Sequence, residues 1–258
     1  MNRALHDIPY HELETEGHRS ELSPLIGQSV EMVEIKEQIR RLSGENRNVL
    51  LTGETGCGKE LIARTIHFQS LRRKGPLVRM SCRDLSTEQF ECVTYGIKAA
   101  YCGTLFIDGI HMLSMPLQKK LLHVFRETGV PGFDNAGTNK LDTRLMVTCS
   151  SNLLGKVLNG TFQKDLYDGL DSFHIKVSPL REKREDIPIL LQFFLNKYGF
   201  EIKEKGIDIP EKVHEFCLTY PWPGNVLELQ NLVRKAIVLG DWRFLSDTMM
   251  FMLTSLAT

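Results

Sequence analysis

Gly53-Glu54-Thr55-Gly56-Cys57-Gly58-Lys59-Glu60 stands between the apolar run Val49-Leu50-Leu51 and the stretch Leu61-Ile62-Ala63-Arg64-Thr65-Ile66-His67. The first flank reads as a buried strand and the second as a helix, so the eight residues form a strand-to-helix loop rich in glycine. Glycine is needed where a backbone turns sharply and comes close to a ligand. Backbone N–H groups at a helix start, with the ammonium of Lys59, make a small concavity suited to phosphate oxygens. We therefore read Gly53, Glu54, Thr55, Gly56, Cys57, Gly58, Lys59 and Glu60 as nucleotide-binding. The last of these is a carboxylate where the general pattern has a Ser or Thr hydroxyl for Mg2+, so the metal needs other ligands.

Working outward, Pro76 to Cys82 and Gly103-Thr104-Leu105-Phe106-Ile107-Asp108 read as further strands, and Arg144 to Cys149 as another. Asp108 closes an apolar strand at the edge where ligands of open α/β sheets bind, which makes it the candidate to orient Mg2+. The plainer reading is a strand-end Asp that caps the next helix. Helices are predicted over 29–42, where Val30, Val33, Ile35, Ile39 and Leu42 fall near helical spacing, and over Met115 to Glu127, opened by Pro116. Strands alternating with helices predict a three-layer α/β domain on a parallel sheet. From about Pro179 only helices are read, over 185–198, 211–219 and 225–239, separated by Pro and Gly. The expected organisation is a loose polar tail over 1–22, a nucleotide-binding core over 23–178 and a helical lid over 179–258.

Composition excludes little and is consistent with this. The chain has 258 residues with 32 basic and 32 acidic side chains, so bulk charge gives no reason to expect nucleic acid or anionic membrane as a main partner. Six cysteines without a Cys-x-x-Cys pair, and an amino terminus without a basic-then-apolar leader, predict a reducing cytoplasm. The apolar stretch from Phe244 to Ala257 is too short and too interrupted to span a bilayer.

Several stretches together resemble the central AAA+ domain of sigma-54-dependent transcription activators, the bacterial enhancer-binding proteins. They are Leu25-Ile26-Gly27-Gln28-Ser29, the loop Gly53 to Glu60, Gly103 to Asp108 and Leu117-Gln118-Lys119-Lys120-Leu121-Leu122. The resemblance continues in Pro179-Leu180-Arg181-Glu182-Lys183-Arg184-Glu185-Asp186-Ile187-Pro188 and Trp222-Pro223-Gly224-Asn225-Val226, and covers roughly 23–240. Glu60 fits it, since these activators carry Glu after the loop lysine. The resemblance implies an AAA+ P-loop domain with ATP or ADP and Mg2+ as cofactors. It also implies assembly into rings that share nucleotide between neighbours and remodel the sigma-54 polymerase.

The chain also departs from the family pattern. The family's sigma-contacting hairpin, Gly-Ala-Phe-Thr-Gly-Ala, has no counterpart, because only Ile97 to Cys102 separate Gly96 from Gly103. Six residues at about 3.3–3.6 Å each cannot reach out of a ring and back. Where the resemblance implies an Asp-Glu pair, this chain has Asp108-Gly109, so the carboxylate that positions water is missing. The switch asparagine aligns with Ser81, the two inter-subunit arginines with Gln163 and Gly169, the lid arginine with Leu227, and the sensing Thr-Asn pair with Cys149-Ser150. Lys164 is a displaced cation, and His111 a conceivable stand-in for the lost glutamate or simply a helix-surface histidine. One missing arginine finger costs roughly a thousand- to a hundred-thousand-fold in rate. No catalytic residue is therefore assigned.

Three readings follow. The first is a hydrolysis-deficient, nucleotide-binding regulator that acts in a homo- or hetero-oligomer with an intact sigma-54 activator or another AAA+ partner. The second is a working ATPase activator of sigma-54 polymerase, opposed by the lost groups; direct sigma-54 contact is not expected. The third is a DNA-binding co-regulator; direct DNA binding is not expected, since little chain follows Leu239 for a helix-turn-helix.

Overall fold

The computed structural model describes residues 13–16, 23–83, 85, 91–133, 142–150, 152–202 and 209–242. Two compact units emerge. One takes the described residues up to Leu25 with Ile35–Gly53 and Lys59–Val177; the other takes Ile26–Glu34, Glu54–Gly58 and the described residues from Ser178 onward.

The first unit is built on a sheet whose strands are β1 (Leu13–Glu16), β2 (Val49–Thr52), β3 (Leu77–Ser81), β4 (Thr104–Asp108), β5 (Arg144–Cys149) and β6 (His174–Lys176). Their spatial order is β1-β3-β4-β5-β2-β6, and all neighbouring pairs are parallel except β1 with β3. The strands β2, β4 and β5 are buried almost without alternation, and every residue of β5 is buried, as in a sheet covered on both faces. The helices of this unit are the carboxyl part of α1 (Val30–Leu42), α2 (Lys59–Gln69), α3 (Glu91–Ala99), α4 (Met115–Glu127), α5 (Leu153–Leu158) and α6 (Lys164–Leu170). From β2 the chain crosses to β3 on one side, fills back through β4 and β5, and later lays β6 on the other side. The order therefore reverses at β2, the crevice where open α/β sheets take ligands, and the end of β2 delivers Gly53 there.

Two details differ from the sequence-based expectation. Residues Leu13–Glu16 lie in the stretch read as a loose tail, yet they form an edge strand antiparallel to β3, Leu13 opposite Met80 and Glu16 opposite Leu77. An edge strand is held by main-chain hydrogen bonds, so a polar Leu-Glu-Thr-Glu sequence can supply one without a hydrophobic signature. In α1 the buried stripe is Met32, Ile35, Ile39 and Leu42, while Val30 and Val33 are exposed by 68% and 56%. The rest of 1–22 and the apolar stretch 244–257 lie outside the described residues.

The second unit contains α7 (Ile187–Ile202), α8 (Glu211–Thr219) and α9 (Asn225–Leu239). Leu191, Cys217, Trp222, Leu229 and Val233 are among its buried core residues. Trp222 is fully buried and its indole Nε1 donates to Cys217 O at 2.8 Å. Two short 3-10 turns, Leu180–Glu182 and Arg184–Asp186, precede α7. The Asp186 carboxylate accepts from Gln28 N, Ser29 N and Ser29 Oγ at 2.7, 2.8 and 2.7 Å, fastening the Ile26-Gly27-Gln28-Ser29 stretch. Among the described residues no helix is long and apolar enough to cross a membrane.

Candidate nucleotide site

The loop after β2 has the backbone that glycine permits. Gly53, Gly56 and Gly58 have φ of 151°, 78° and 97°, a region costly for other residues. A Cβ on Gly56 would lie 2.2 Å from Gly224 O, whereas one on Gly58 would meet nothing within 4 Å. One glycine is thus required by close packing, and the other keeps its side of the loop open. Residues Glu54 to Gly58 are braced from within their own unit. Arg181 holds Glu54 with both guanidinium arms, Nη1 to Oε2 at 2.8 Å and Nη2 to Oε1 at 2.5 Å. Asn225 Nδ2 donates to Glu54 Oε2 at 3.2 Å and to Thr55 O at 3.0 Å, and Leu227 N donates to Gly56 O at 3.2 Å. Asn225 reaches both because its own φ is 56°, and its Oδ1 accepts from Leu180 N at 2.7 Å. Cys57 is buried, and the neighbouring Lys183 is 4% exposed, its ammonium drawn below its ordinary pKa by burial.

Lys59 opens α2 in the sheet unit, and its Nζ donates to Gly53 O at 2.7 Å, so the lysine folds back along the loop that it follows. The loop geometry and this cation fit a bound polyphosphate. A nucleotide held there would be cradled by the loop N–H groups and by Lys59.

Asp108 ends β4 as the sequence predicts, but its surroundings were not foreseen. Its Oδ1 accepts the Thr148 hydroxyl at 2.5 Å, and that hydroxyl oxygen in turn accepts from Gly109 N at 2.9 Å. Its Oδ2 is 3.8 Å from Arg79 Nη2, and Arg79 Nε is 3.5 Å from Glu60 Oε2. Mg2+ does not fit this setting, because the carboxylate expected to orient it already has a hydroxyl donor on one oxygen and a guanidinium beside the other. Arg79 and Thr148 are functional candidates that sequence reasoning missed. A charged residue inside an otherwise apolar strand was the available signal for the first.

Gly109, where the resemblance places a glutamate, has φ 77° and leads into the 3-10 turn Ile110–Met112. His111 lies in that turn with Nε2 2.8 Å from Ser150 Oγ. Burial, then the Lys156 and Lys59 ammoniums, hold its imidazole below the ordinary range, so it is neutral. Ser81 ends β3 opposite Asp108, and Ser81 Oγ accepts from Arg83 N at 3.2 Å.

The positions aligned with arginines are occupied by ordinary structure. Gln163 precedes α6 and its N–H donates to Gln118 Oε1 at 2.9 Å. Lys164 pairs with Asp168 at 2.7 Å on the exposed face of α6. Gly169 is buried, and a Cβ there would lie 2.3 Å from Phe133 Cε1. Leu227 is 49% exposed. Finally, α3 runs into β4 through Ala100–Gly103, a turn closed by Ala100 N to Gly96 O at 3.0 Å and Gly103 N to Ala100 O at 2.9 Å.

Comparison with known proteins agrees with this architecture. Residues 26–180 match the sequence model of the sigma-54 interaction domain, and 181–251 match that of an AAA+ ATPase lid domain. The chain is 34% identical to the transcriptional regulatory protein XylR of Pseudomonas putida over 84% of its own length and 41% of that protein. It is 32% identical to the regulatory protein AtoC of Escherichia coli over 84% of its length and 50% of that protein. The chain thus spans about half the length of these relatives. Among solved structures, NtrX from Brucella abortus in complex with ATP superposes with a TM-score of 0.77 at 30% identity, covering 86% of this chain and 54% of that one. NtrX in complex with ADP gives 0.76 at 30% identity, covering 84% and 52%. The parallel sheet with its phosphate loop, the helical lid and the matched 26–180 together show that the chain belongs to the sigma-54 interaction domain family of AAA+ regulators.

Proposed function

We propose that this chain is a cytoplasmic regulatory subunit that binds ATP or ADP through Gly53 to Glu60 without hydrolysing it, and acts by associating with an intact sigma-54 activator or another AAA+ ring. The observation that carries the reading is Gly109, whose left-handed backbone, φ 77°, stands directly after Asp108 where a water-positioning glutamate is implied. Splitting the terminal phosphate needs an oriented water and positive charge on the oxygens as the bond breaks. Gly109 supplies no carboxylate, and Gln163 and Gly169 supply no arginine to a neighbour. The short α3-to-β4 turn supports a role without direct sigma-54 contact, because it extends no hairpin between those elements.

Loss of its own arginines does not prevent the chain from placing its nucleotide against the arginines of an intact partner. A mixed ring is the assembly that uses what has been kept. The test is titration with fluorescent ATP beside a phosphate-release assay. Saturable binding with phosphate release at the level of buffer supports the reading; sustained turnover by the purified chain refutes it.

A further inference from the structure

Arg79 is the one charged residue of β3, among Leu77, Val78, Met80 and Ser81. Parallel pairing sets Arg79 opposite Phe106 and Ser81 opposite Asp108, and residues two apart on a strand share a face. Arg79 and Asp108 therefore project from the same face at the carboxyl end of the sheet. There the guanidinium lies between two carboxylates, 3.5 Å from Glu60 and 3.8 Å from Asp108. Thr148 donates to the other oxygen of Asp108. All four groups belong to the sheet unit, so the cluster is set by strand register and the start of α2.

We infer that Arg79 takes the place of the divalent cation here, so that the chain binds its nucleoside triphosphate as the metal-free polyphosphate. The inference rests on the nucleotide-binding reading above. A guanidinium carries its charge at every physiological pH and presents five N–H donors in a plane, a geometry suited to phosphate and carboxylate oxygens. It needs no shell of ordered waters. Mg2+ by contrast demands a near-octahedral set of oxygens and gives up its waters reluctantly. Beside Asp108 it would approach a fixed positive charge, which offsets part of the attraction that Glu60 and Asp108 would exert on it. Lys59 supplies one positive charge for the phosphates, and Arg79 a second that it shares with Glu60 and Asp108. Binding without hydrolysis needs no more than that, because no transition-state charge has to be met.

The test is titration of the intact chain with N-methylanthraniloyl-ATP, in Mg2+ and again in EDTA. The wild-type affinities should agree within about threefold. Arg79→Met keeps the aliphatic stem and removes the charge; it should lose at least about tenfold in EDTA and regain affinity when Mg2+ is added. Circular dichroism melting establishes that the variant is folded, and if it is not, the wild-type comparison alone decides metal independence. Wild-type binding that collapses in EDTA overturns the inference and leaves nucleotide binding standing. Arg79→Met that matches wild type in both buffers overturns the role of Arg79. No binding in either buffer overturns the nucleotide reading itself.

Discussion

Lys59 is the residue whose loss should be felt most directly in nucleotide binding. Charge-assisted hydrogen bonds contribute roughly 1.5–3 kcal/mol, so Lys59→Ala is expected to weaken binding about ten- to a hundredfold in a calorimetric titration, with the melting temperature nearly unchanged. Gly109→Glu tests the opposite direction, by restoring a lost group. A glutamate forced to φ 77° costs about 1–2 kcal/mol, so the variant should melt earlier and still release no phosphate, since Gln163 and Gly169 remain. His67 sets a pH dependence. It is buried against Thr104, Nδ1 to Oγ1 at 2.9 Å, and burial followed by the Arg144 charge lowers its pKa from 6.5 to about 4. Between those values the unfolded chain binds the additional proton, so the stabilisation is complete above pH 6.5 and is lost as pH falls towards 4. At about 1.4 kcal/mol per unit the total is at most a few kcal/mol. Urea unfolding at neutral and mildly acidic pH should show that decline, and His67→Gln should flatten it.

At the scale of the element, α6 shows how packing can exclude a side chain. Gly169 faces the Phe133 ring, which is 5% exposed, so Gly169→Arg must displace a core aromatic. Overpacking of this kind costs about 1–3 kcal/mol, and adding Phe133→Ala should recover part of the loss, seen as a partial return of the melting temperature. Elements with strong periodicity were legible from sequence: α4, α8 and α9 begin and end where apolar spacing, Pro116 and the Pro-Gly turn place them. The helix α3 escapes the sequence pattern, because Val93, Thr94 and Gly96, all poor helix formers, lie within it. The three-residue β6 carries too little pattern to be seen before β2 is placed beside it. For the site, the loop was legible because its residues are contiguous. Arg79 and Thr148 were not, because what brings them to Asp108 is register across β3, β4 and β5, which no single segment encodes.

For the molecule as a whole, the account is that the chain has kept its phosphate loop after the groups for hydrolysis were lost. If the chain works by joining an intact family member, mixing the two should change that partner's ATPase rate in proportion to the fraction of this chain, and native mass spectrometry should find both in one complex. Lys59→Ala should weaken the effect if nucleotide in this subunit supports assembly. The most direct measurement is the fate of bound ATP. Radiolabelled ATP is incubated with excess protein, the complex is quenched in acid, and the nucleotide is separated. The account requires that the label be recovered as ATP after many minutes on the protein; recovery as ADP and phosphate, in amounts that grow with time and vanish in Lys59→Ala, would contradict it.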